Sequence, residues 1–317
     1  MGVEACSAQR VRSRFVRSLL LLALALALAC AAPALAATES TLTIAAVDGA
    51  QLPARLLRPD GTGPFPAVVI VHDCSGLGPR SSGAPVRWAR ELVAQGYVVL
   101  MPDSFTPRGF PDGVCTVPGA ESRAVNGIVR GRDAHAALAA LQALPDVDGR
   151  RVGLLGGSHG GWTTLAAMVQ PEDTRAPGAR SEFAAAIALY PVCGARLGEW
   201  SVRREKGNVG PVVEYLGVYR PVAPVLILIG VKDDWTPAEA CQKLVEASRA
   251  AGFTMDIKVY PDALHSFDSN APVRYNPQRN NVNSRDGRGA TIGGNAEAWA
   301  DARKQVEQFF RAHLKNG

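Results

Sequence analysis

Short apolar segments rich in β-branched residues alternate with Ala-rich amphipathic segments from residue 41 to the end of the chain. This alternation is typical of a mostly parallel β-sheet covered by helices. The segment AVVIVH, residues 67–72, is apolar over five consecutive residues, as expected for a strand buried on both faces. Asp48-Gly49 separates two earlier strand-like segments, 41–47 and 52–57, and predicts that the sheet begins with an antiparallel pair. The sequence therefore predicts an α/β fold.

The other predicted elements continue this alternation. Helices are predicted at about 86–95, 124–144, 162–169, 238–250 and 296–314, and strands at about 97–101, 151–155, 183–190, 224–229 and 255–260. Two long segments, 193–220 and 270–294, fit neither pattern. Segments of this kind in a compact domain are often lids, binding loops or disordered insertions.

The first 36 residues have the features of an export signal. Four arginines at positions 10, 12, 14 and 17 precede a short Leu/Ala segment, 19–29, and Ala34-Leu35-Ala36 has the A-x-A pattern of a signal peptidase site. The apolar segment is shorter than the roughly 18 residues that read as a membrane span, so we expect export and no stable membrane span. Residues 1–36 are predicted to be a signal peptide and 37–317 a single domain, located in the periplasm or outside the cell.

Lipid attachment at Cys30 is the weaker alternative, because Ala27 stands where a lipobox usually has Leu. Cleavage after Ala36 would remove four Arg and Glu4, so the formal net charge would fall from +5 to +2. The remaining chain has no Lys/Arg stripe with interleaved aromatic residues, which argues against nucleic acid as a partner.

Four cysteines remain after such cleavage: Cys74, Cys115, Cys193 and Cys241. An even number in an oxidising compartment permits two disulfides, and four buried free thiols are the alternative. None of the four has the spacing of a zinc site, so a structural metal is not expected.

The pentapeptide Gly156-Gly157-Ser158-His159-Gly160 lies between a predicted strand and a predicted helix. A sharp strand-to-helix turn needs glycines around the serine, and it leaves the serine hydroxyl protruding above the sheet. Ser158 is therefore the candidate nucleophile. His159 is a candidate oxyanion donor, because the N–H of the residue after the nucleophile usually serves this purpose. An ordinary Gly-rich turn is the alternative, and the strand–helix setting argues against it.

A serine nucleophile needs a base and an acid, and in this motif class they follow it in the order Ser, Asp or Glu, His. Asp233 and Asp234 come directly after the apolar strand PVLILIG, and His265 lies just after the last predicted strand. Because the carboxyl ends of parallel strands meet at one edge of a sheet, these loops should lie together. Each residue alone could be an ordinary surface residue, but together they predict a Ser-His-Asp triad.

The other histidines have weaker functional interpretations. His135 and His313 lie in predicted helices and are best explained by packing or by the helix surface. His72 and Asp73 follow the strand AVVIVH and would suggest a metal site only if further ligands lay nearby. No cofactor and no metal are expected.

Four segments of the chain resemble the dienelactone hydrolase family of the α/β-hydrolase superfamily: VIVHDCSGLGP, GGSHGG, GVKDDWTP and YPDALHSFD. The resemblance covers about residues 41–314 and implies an α/β-hydrolase fold, with a mostly parallel central sheet of about eight strands and helices on both faces. The family pattern Gly-x-x-Asp-x-x-x-Pro selects Asp233 as the acid. Position by position, the resemblance also implies that the second oxyanion N–H belongs to Cys74 and that the acidic Asp73 lies near the nucleophile.

The resemblance has two departures. Dienelactone hydrolases proper use a cysteine nucleophile and resemble cytoplasmic enzymes, whereas this chain has Ser158 and a leader. Fold and triad carry over to this chain, but the dienelactone substrate does not. The strand order of the fold also implies that Cys74 pairs with Cys115 and Cys193 with Cys241.

These features predict a serine hydrolase that acts on small-molecule esters, lactones included, through an acyl-enzyme. A peptidase or acyltransferase uses the same constellation, and a non-catalytic secreted binding protein could keep the same fold. The sequence leaves the acyl and alcohol groups of the substrate open.

Overall fold

The computed structural model describes residues 38–169 and 182–316. Its strands are β1 (Thr38–Ala45), β2 (Gln51–Arg58), β3 (Phe65–Val71), β4 (Val98–Pro102), β5 (Val147–Gly157), β6 (Ala185–Leu189), β7 (Ser201–Lys206), β8 (Val209–Leu216), β9 (Val225–Gly230), β10 (Met255–Tyr260), β11 (Arg274–Asn280) and β12 (Arg288–Ile292). Eight of them form one sheet in the order β1-β2-β4-β3-β5-β6-β9-β10. The strand β2 is antiparallel to β1 and β4, and the other neighbours are parallel. The predicted opening pair and the mostly parallel sheet are confirmed.

The described residues include five α-helices: α1 (Ala84–Ala94), α2 (Gly127–Gln142), α3 (His159–Ala167), α4 (Ala238–Ala250) and α5 (Ala296–Phe310). In β3, every residue after Phe65 is buried. Because successive side chains of a strand point to opposite faces, both faces of the sheet are covered there, as predicted. In the described ranges, no helix is both long enough and apolar enough to cross a membrane.

Several element boundaries differ from the prediction for local reasons. The helix α2 begins later than predicted, because Asn126 caps it by accepting hydrogen bonds from the N–H groups of Ile128 and Val129. The strand β5 begins at Val147 instead of residue 151, and α3 begins at His159, immediately after Ser158. The connection from strand to helix around Ser158 is therefore as short as it can be.

The two segments predicted as irregular each contain an antiparallel hairpin, which corrects the prediction. One hairpin is β7–β8, and the other is β11–β12. Three of the four strands, β7, β8 and β11, are largely exposed or half-buried, so they lack the apolar alternation that identifies a strand packed on a core. The fourth, β12, has three buried residues but is only five residues long. The turn of the first hairpin, Gly207-Asn208, is a dipeptide typical of two-residue hairpin turns.

Both predicted disulfides are present, Cys74–Cys115 and Cys193–Cys241. The first joins the loop after β3 to the Pro/Gly-rich loop before α2. The second joins α4 to the segment that leads into β7. Cys74, Cys193 and Cys241 are buried, and Cys115 is half-buried. The predicted signal peptide, residues 1–36, and the alternative lipidation site at Cys30 lie outside the described residues.

Candidate active site

Ser158 stands between the end of β5 and the first residue of α3. Its backbone has φ 56° and ψ −116°, a conformation that residues other than glycine rarely adopt. The neighbouring chain is very close, since a Cβ atom on Gly160 would lie 2.2 Å from the carbonyl oxygen of Val71. A Cβ atom on Gly156 would lie 2.4 Å from the carbonyl oxygen of Gly160. The glycines around Ser158 are therefore required by the tight turn itself.

The structure brings Ser158, His265 and Asp233 together. The Nε2 atom of His265 lies 2.8 Å from Ser158 Oγ, and its Nδ1 atom lies 2.8 Å from Asp233 Oδ2. Because Nδ1 faces a carboxylate, it carries the proton, and Nε2 accepts the hydroxyl proton of Ser158. All three side chains are buried, and they follow β5, β10 and β9 at the carboxyl edge of the sheet.

The carboxylate of Asp233 is held by its own loop. Its Oδ1 atom accepts hydrogen bonds from the N–H groups of Trp235 and Thr236, at 3.0 and 2.7 Å. The hydroxyl of Thr236 lies 2.8 Å from Oδ2. By contrast, the neighbouring Asp234 accepts from the N–H and hydroxyl of Thr291 in β12. Asp233 therefore faces the imidazole, and Asp234 attaches the second hairpin.

Two aromatic rings, of Trp235 and Tyr190, pack against the ring of His265, each with its centroid 4.7 Å away. The Tyr190 hydroxyl donates to Asp268, a buried carboxyl group whose pKa is raised by its burial. Sequence analysis did not single out Thr236, Trp235 or Tyr190. The first two lie in the GVKDDWTP segment, where the short spacing from Asp233 was the available signal.

The two candidate oxyanion residues, Cys74 and His159, line the same cavity as Ser158. Within residues 38–169 and 182–316, neither backbone N–H donates a hydrogen bond to a protein acceptor. Almost all buried backbone N–H groups in proteins have a partner. Two free donors beside a serine hydroxyl are the arrangement that a developing oxyanion needs.

Arg130 of α2, which sequence analysis did not identify, contacts both of the segments that carry Cys74 and His159. Its Nη1 atom is 2.7 Å from Nδ1 of His159, and its Nη2 atom donates to the carbonyl oxygen of His72 at 2.7 Å. Burial, and secondarily the charge of Arg130, lower the pKa of both histidines well below the usual range. Burial also lowers the pKa of Arg130, to about 10, so at neutral pH one cation lies between two neutral imidazoles.

Asp73, which the resemblance places near the nucleophile, lines a small cavity together with Ser158 and His265. Its side chain accepts hydrogen bonds from the N–H of Ser75 and from the hydroxyls of Ser75 and Ser82. These bonds organise the loop that follows β3. Asp73 is therefore attached to its own loop and not to the imidazole.

The remaining histidines have structural contacts. His72 faces the carbonyl oxygen of Asp73 with Nδ1 and accepts from the N–H of Ser104 with Nε2. His135 is buried on α2, near the carbonyl oxygen of Ala167, and His313 packs on Phe309. In the part of the chain that the structure describes, no three His, Cys, Asp or Glu side chains are placed to hold a metal ion.

Two cavities share Ser158 and the Cys74–Cys115 disulfide in their walls. The larger has a volume of about 620 Å³ and mostly apolar walls. Its apolar side chains include Val114, Val117, Trp162, Val192, Val202, Val209, Trp235 and Val282. The smaller, of about 270 Å³, is lined by several arginines and by Asp73 and Asp268. The turn of β7–β8 and the loop between β11 and β12 form part of the larger cavity.

Buried polar side chains attach both hairpins to the site. Arg204 of β7 donates to the carbonyl oxygens of Gly210 and Gly194 and to the side chain of Asn283. The amide groups of Asn283 and Asn281 donate in turn to backbone carbonyl oxygens of the Asp233 loop, those of Trp235 and Asp234. The walls of the large cavity are thus connected to the loop that carries the acid.

Comparison with known proteins agrees with this geometry. Residues 52–314 match the model of the dienelactone hydrolase family. A protein of Methylorubrum extorquens named "Putative carboxymethylenebutenolidase" is 28% identical over 228 residues, which cover 71% of this chain and 70% of that protein.

Solved structures agree on the fold. A protein of Klebsiella pneumoniae described as a "Putative Dienelactone Hydrolase" superposes with a TM-score of 0.59 at 22% identity, over 87% of this chain and 98% of its own. Esterase 2 of Thermogutta terrifontis, phosphorylated by paraoxon, superposes with a TM-score of 0.57 at 17% identity, over 87% of this chain and 94% of the esterase. With the sheet described above, these similarities confirm the α/β-hydrolase fold.

Proposed function

The chain belongs to the dienelactone hydrolase family and is a hydrolase, and we propose that it is an exported carboxylic ester hydrolase with Ser158 as nucleophile. The observation that carries the proposal is the continuous hydrogen-bonded chain from Ser158 through His265 to Asp233, with 2.8 Å at each link. A serine hydroxyl becomes nucleophilic when a neighbouring base accepts its proton, and this chain supplies the base and the group that orients it.

In the proposed reaction, His265 Nε2 takes the hydroxyl proton as Ser158 Oγ attacks the ester carbonyl carbon. The tetrahedral intermediate collapses, the alcohol leaves with the proton from Nε2, and Ser158 is left acylated. A water molecule, deprotonated by the same nitrogen, then attacks the acyl carbon and releases the acid. Asp233 remains ionised throughout and stabilises the imidazolium that forms twice.

The N–H groups of Cys74 and His159 are proposed to hold the oxyanion. Removing one such donor costs about 2.7 to 4 kcal/mol of transition-state stabilisation in serine hydrolases. Their lack of protein acceptors, and their place in the wall of Ser158's cavity, support this role.

The larger cavity is proposed to take the apolar part of the substrate. Its volume of about 620 Å³ falls in the range of sites for small-molecule ligands, and its walls are mostly apolar. The reactive serine lies at its edge, so a substrate that fills the cavity can present its ester to Ser158. We therefore propose small-molecule esters with a medium-sized apolar group.

Export is supported by the leader-like residues 1–36 and by the two disulfides, because structural disulfides persist in oxidising compartments. Cell fractionation, with N-terminal sequencing of the mature protein, tests this part. The expected result is a periplasmic or secreted chain beginning at Ala37, and a cytoplasmic chain that keeps its first residues would reject it.

The catalytic part is tested by hydrolysis of p-nitrophenyl esters from acetyl to decanoyl. The wild-type protein should hydrolyse them, and Ser158→Ala should lose turnover while its circular dichroism and melting temperature remain close to those of the wild type. Asp234→Asn is the matched control, because Asp234 adjoins the acid but contacts Thr291. Retained turnover in Ser158→Ala would reject the assignment, and a peptide p-nitroanilide turned over faster than every ester would indicate a peptidase.

A further inference from the structure

Arg130 is the most deeply buried charge in the described chain that the proposed reaction does not use. Its side chain is 0% exposed, and within the described residues no carboxylate oxygen lies within 4.0 Å of its guanidinium. The nearest acid on its own helix, Asp133, binds Arg108 instead. Burying an unpaired cation is expensive, and an apolar side chain of similar size would fill the same space at lower cost.

The contacts of Arg130 connect two separate segments. One arm of the guanidinium reaches the ring of His159, which follows the nucleophile. The other arm reaches the carbonyl oxygen of His72, two residues before Cys74. Each segment carries one of the two free N–H groups, and both residues line Ser158's cavity. A guanidinium is planar and rigid, so its two arms fix a distance between their acceptors.

These same segments already touch on their other side. At Gly160, a Cβ atom would lie 2.2 Å from the carbonyl oxygen of Val71 and 2.7 Å from that of His72. The end of β3 and the start of α3 are therefore in backbone contact. Arg130 adds a second connection between them, and two connections fix the relative orientation of two segments where one would leave a hinge.

The surroundings of Arg130 keep it in this position. The Phe105 ring lies under the guanidinium, 4.7 Å from it, and contacts the rings of His72 and His159 edge-on. A cation over an aromatic face is stabilised without a carboxylate. Because His159 is neutral, its Nδ1 atom is free to accept from the guanidinium. The ring of His159 therefore acts as a fixed acceptor and not as a second charge.

We propose that Arg130 is a positioning residue that holds the backbone N–H groups of Cys74 and His159 at the separation an oxyanion requires. This inference rests on the proposed function, because it assigns a role within that reaction. Arg130 does not line the cavity itself and has no hydrogen bond to Ser158; it contacts His159 and His72, so its effect passes through the two donors. Its loss should therefore affect the transition state more than the binding of the ester.

Arg130→Met, Arg130→Lys and the control Arg108→Met test the proposal. The side chain of Arg108 is also little exposed, at 6%, and also contacts α2, but it bonds Asp48, Asp133 and the carbonyl of Ser104 and reaches neither His72 nor His159. Active sites are first counted by fluorophosphonate labelling, so that unfolded protein does not enter kcat. The same acyl group is then presented as an ester and as a thionoester, whose sulfur accepts hydrogen bonds poorly.

For Arg130→Met we expect kcat per titrated site to fall about a hundredfold, which is the loss of one oxyanion donor, with KM within about threefold. The preference for the ester over the thionoester should fall in parallel. Arg130→Lys should recover part of both, because an ammonium reaches one acceptor but does not bridge two. Arg108→Met should lose stability and keep the oxygen-to-sulfur preference.

An active wild type whose Arg130→Met variant keeps both kcat and the oxygen-to-sulfur preference would overturn this inference alone. So would equal changes of that preference in Arg130→Met and Arg108→Met. A wild type that hydrolyses no ester would overturn the proposed function, and this inference with it.

Discussion

The carboxyl edge of the sheet and the two hairpins beside it border the same cavity, but they are built differently. At the sheet edge, Ser158, Asp233 and His265 are buried, and each polar atom has a defined partner. In the hairpins most residues are exposed or half-buried, and a few buried polar side chains such as Arg204 and Asn281 attach them. We infer from this difference that the proposed chemistry depends on the buried sheet edge and the choice of substrate on the hairpins.

If this division is right, the largest effects come from the triad and apply to every ester. His265→Ala should lower kcat by about 10⁶, as removal of the base does in other serine hydrolases. Asp233→Asn should lower it by about 10⁴, because the amide favours the wrong imidazole tautomer. Steady-state rates over the ester series check both. A triad variant that lost activity on esters of one chain length and kept it on another would contradict this division.

The two disulfides provide a matched pair, since they close loops of similar length, with separations of 41 and 48 residues. Removing either, as Cys74→Ser/Cys115→Ser or Cys193→Ser/Cys241→Ser, should cost about 2–5 kcal/mol of stability. The first pair should also lower kcat per titrated site ten- to a hundredfold, because Cys74 carries a proposed oxyanion N–H and misplacement of about 1 Å is costly. Equal kcat in both double variants would show that the first disulfide does not position the site.

A smaller and more selective effect is expected from the hairpins. Arg204→Met removes the donor shared by Gly210, Gly194 and Asn283, and leaves acceptors that cost about 1–3 kcal/mol to bury unpaired. We expect KM for long-chain esters to rise about tenfold, which corresponds to 1.4 kcal/mol, while kcat for the acetate changes little. Arg203→Met, at the preceding residue of β7, is the control because its ion pair with Glu214 is exposed. A uniform loss of kcat would contradict the division.

The smallest effect concerns pH. His72 and His159 have pKa values lowered well below 6.5 in the folded chain, chiefly by burial. The unfolded chain therefore binds more protons below about pH 6.5, so stability present above that pH is lost as the pH falls. Each group contributes at most about 1.4 kcal/mol per pH unit. Between pH 7.5 and 5.5, the free energy of unfolding should fall less for His159→Gln than for the wild type. An equal fall would contradict the lowered pKa of His159.

The same two regions differ in how far their sequences predict them. The strand AVVIVH is buried on both faces and therefore apolar throughout, and the turn around Ser158 demands glycines that are visible in the sequence. These are local requirements. By contrast, β11 has the sequence RYNPQRN, with exposed or half-buried positions only, so no apolar period marks it. Its position depends on contacts with residues far from it in sequence, such as the hydrogen bond from Asn281, directly after β11, to the carbonyl oxygen of Asp234.

Arg130 shows the other limit of sequence analysis. It lies among the Ala-rich residues of α2, where an arginine usually marks a solvent-exposed face. Only the packing of α2 behind the loop after β3 brings it to His72 and His159. By contrast, Asp233 and His265 were predictable because the order of strands and the position after each strand fix where they lie.

The central claim is that Ser158 is an activated nucleophile, and covalent labelling by a fluorophosphonate tests it most directly. The wild-type protein should take up one equivalent, and peptide mass spectrometry should find it on Ser158. His265→Ala should label far more slowly, and Ser158→Ala should not label at all. A folded wild type that stays unlabelled, or that carries the label on another residue, would contradict the account.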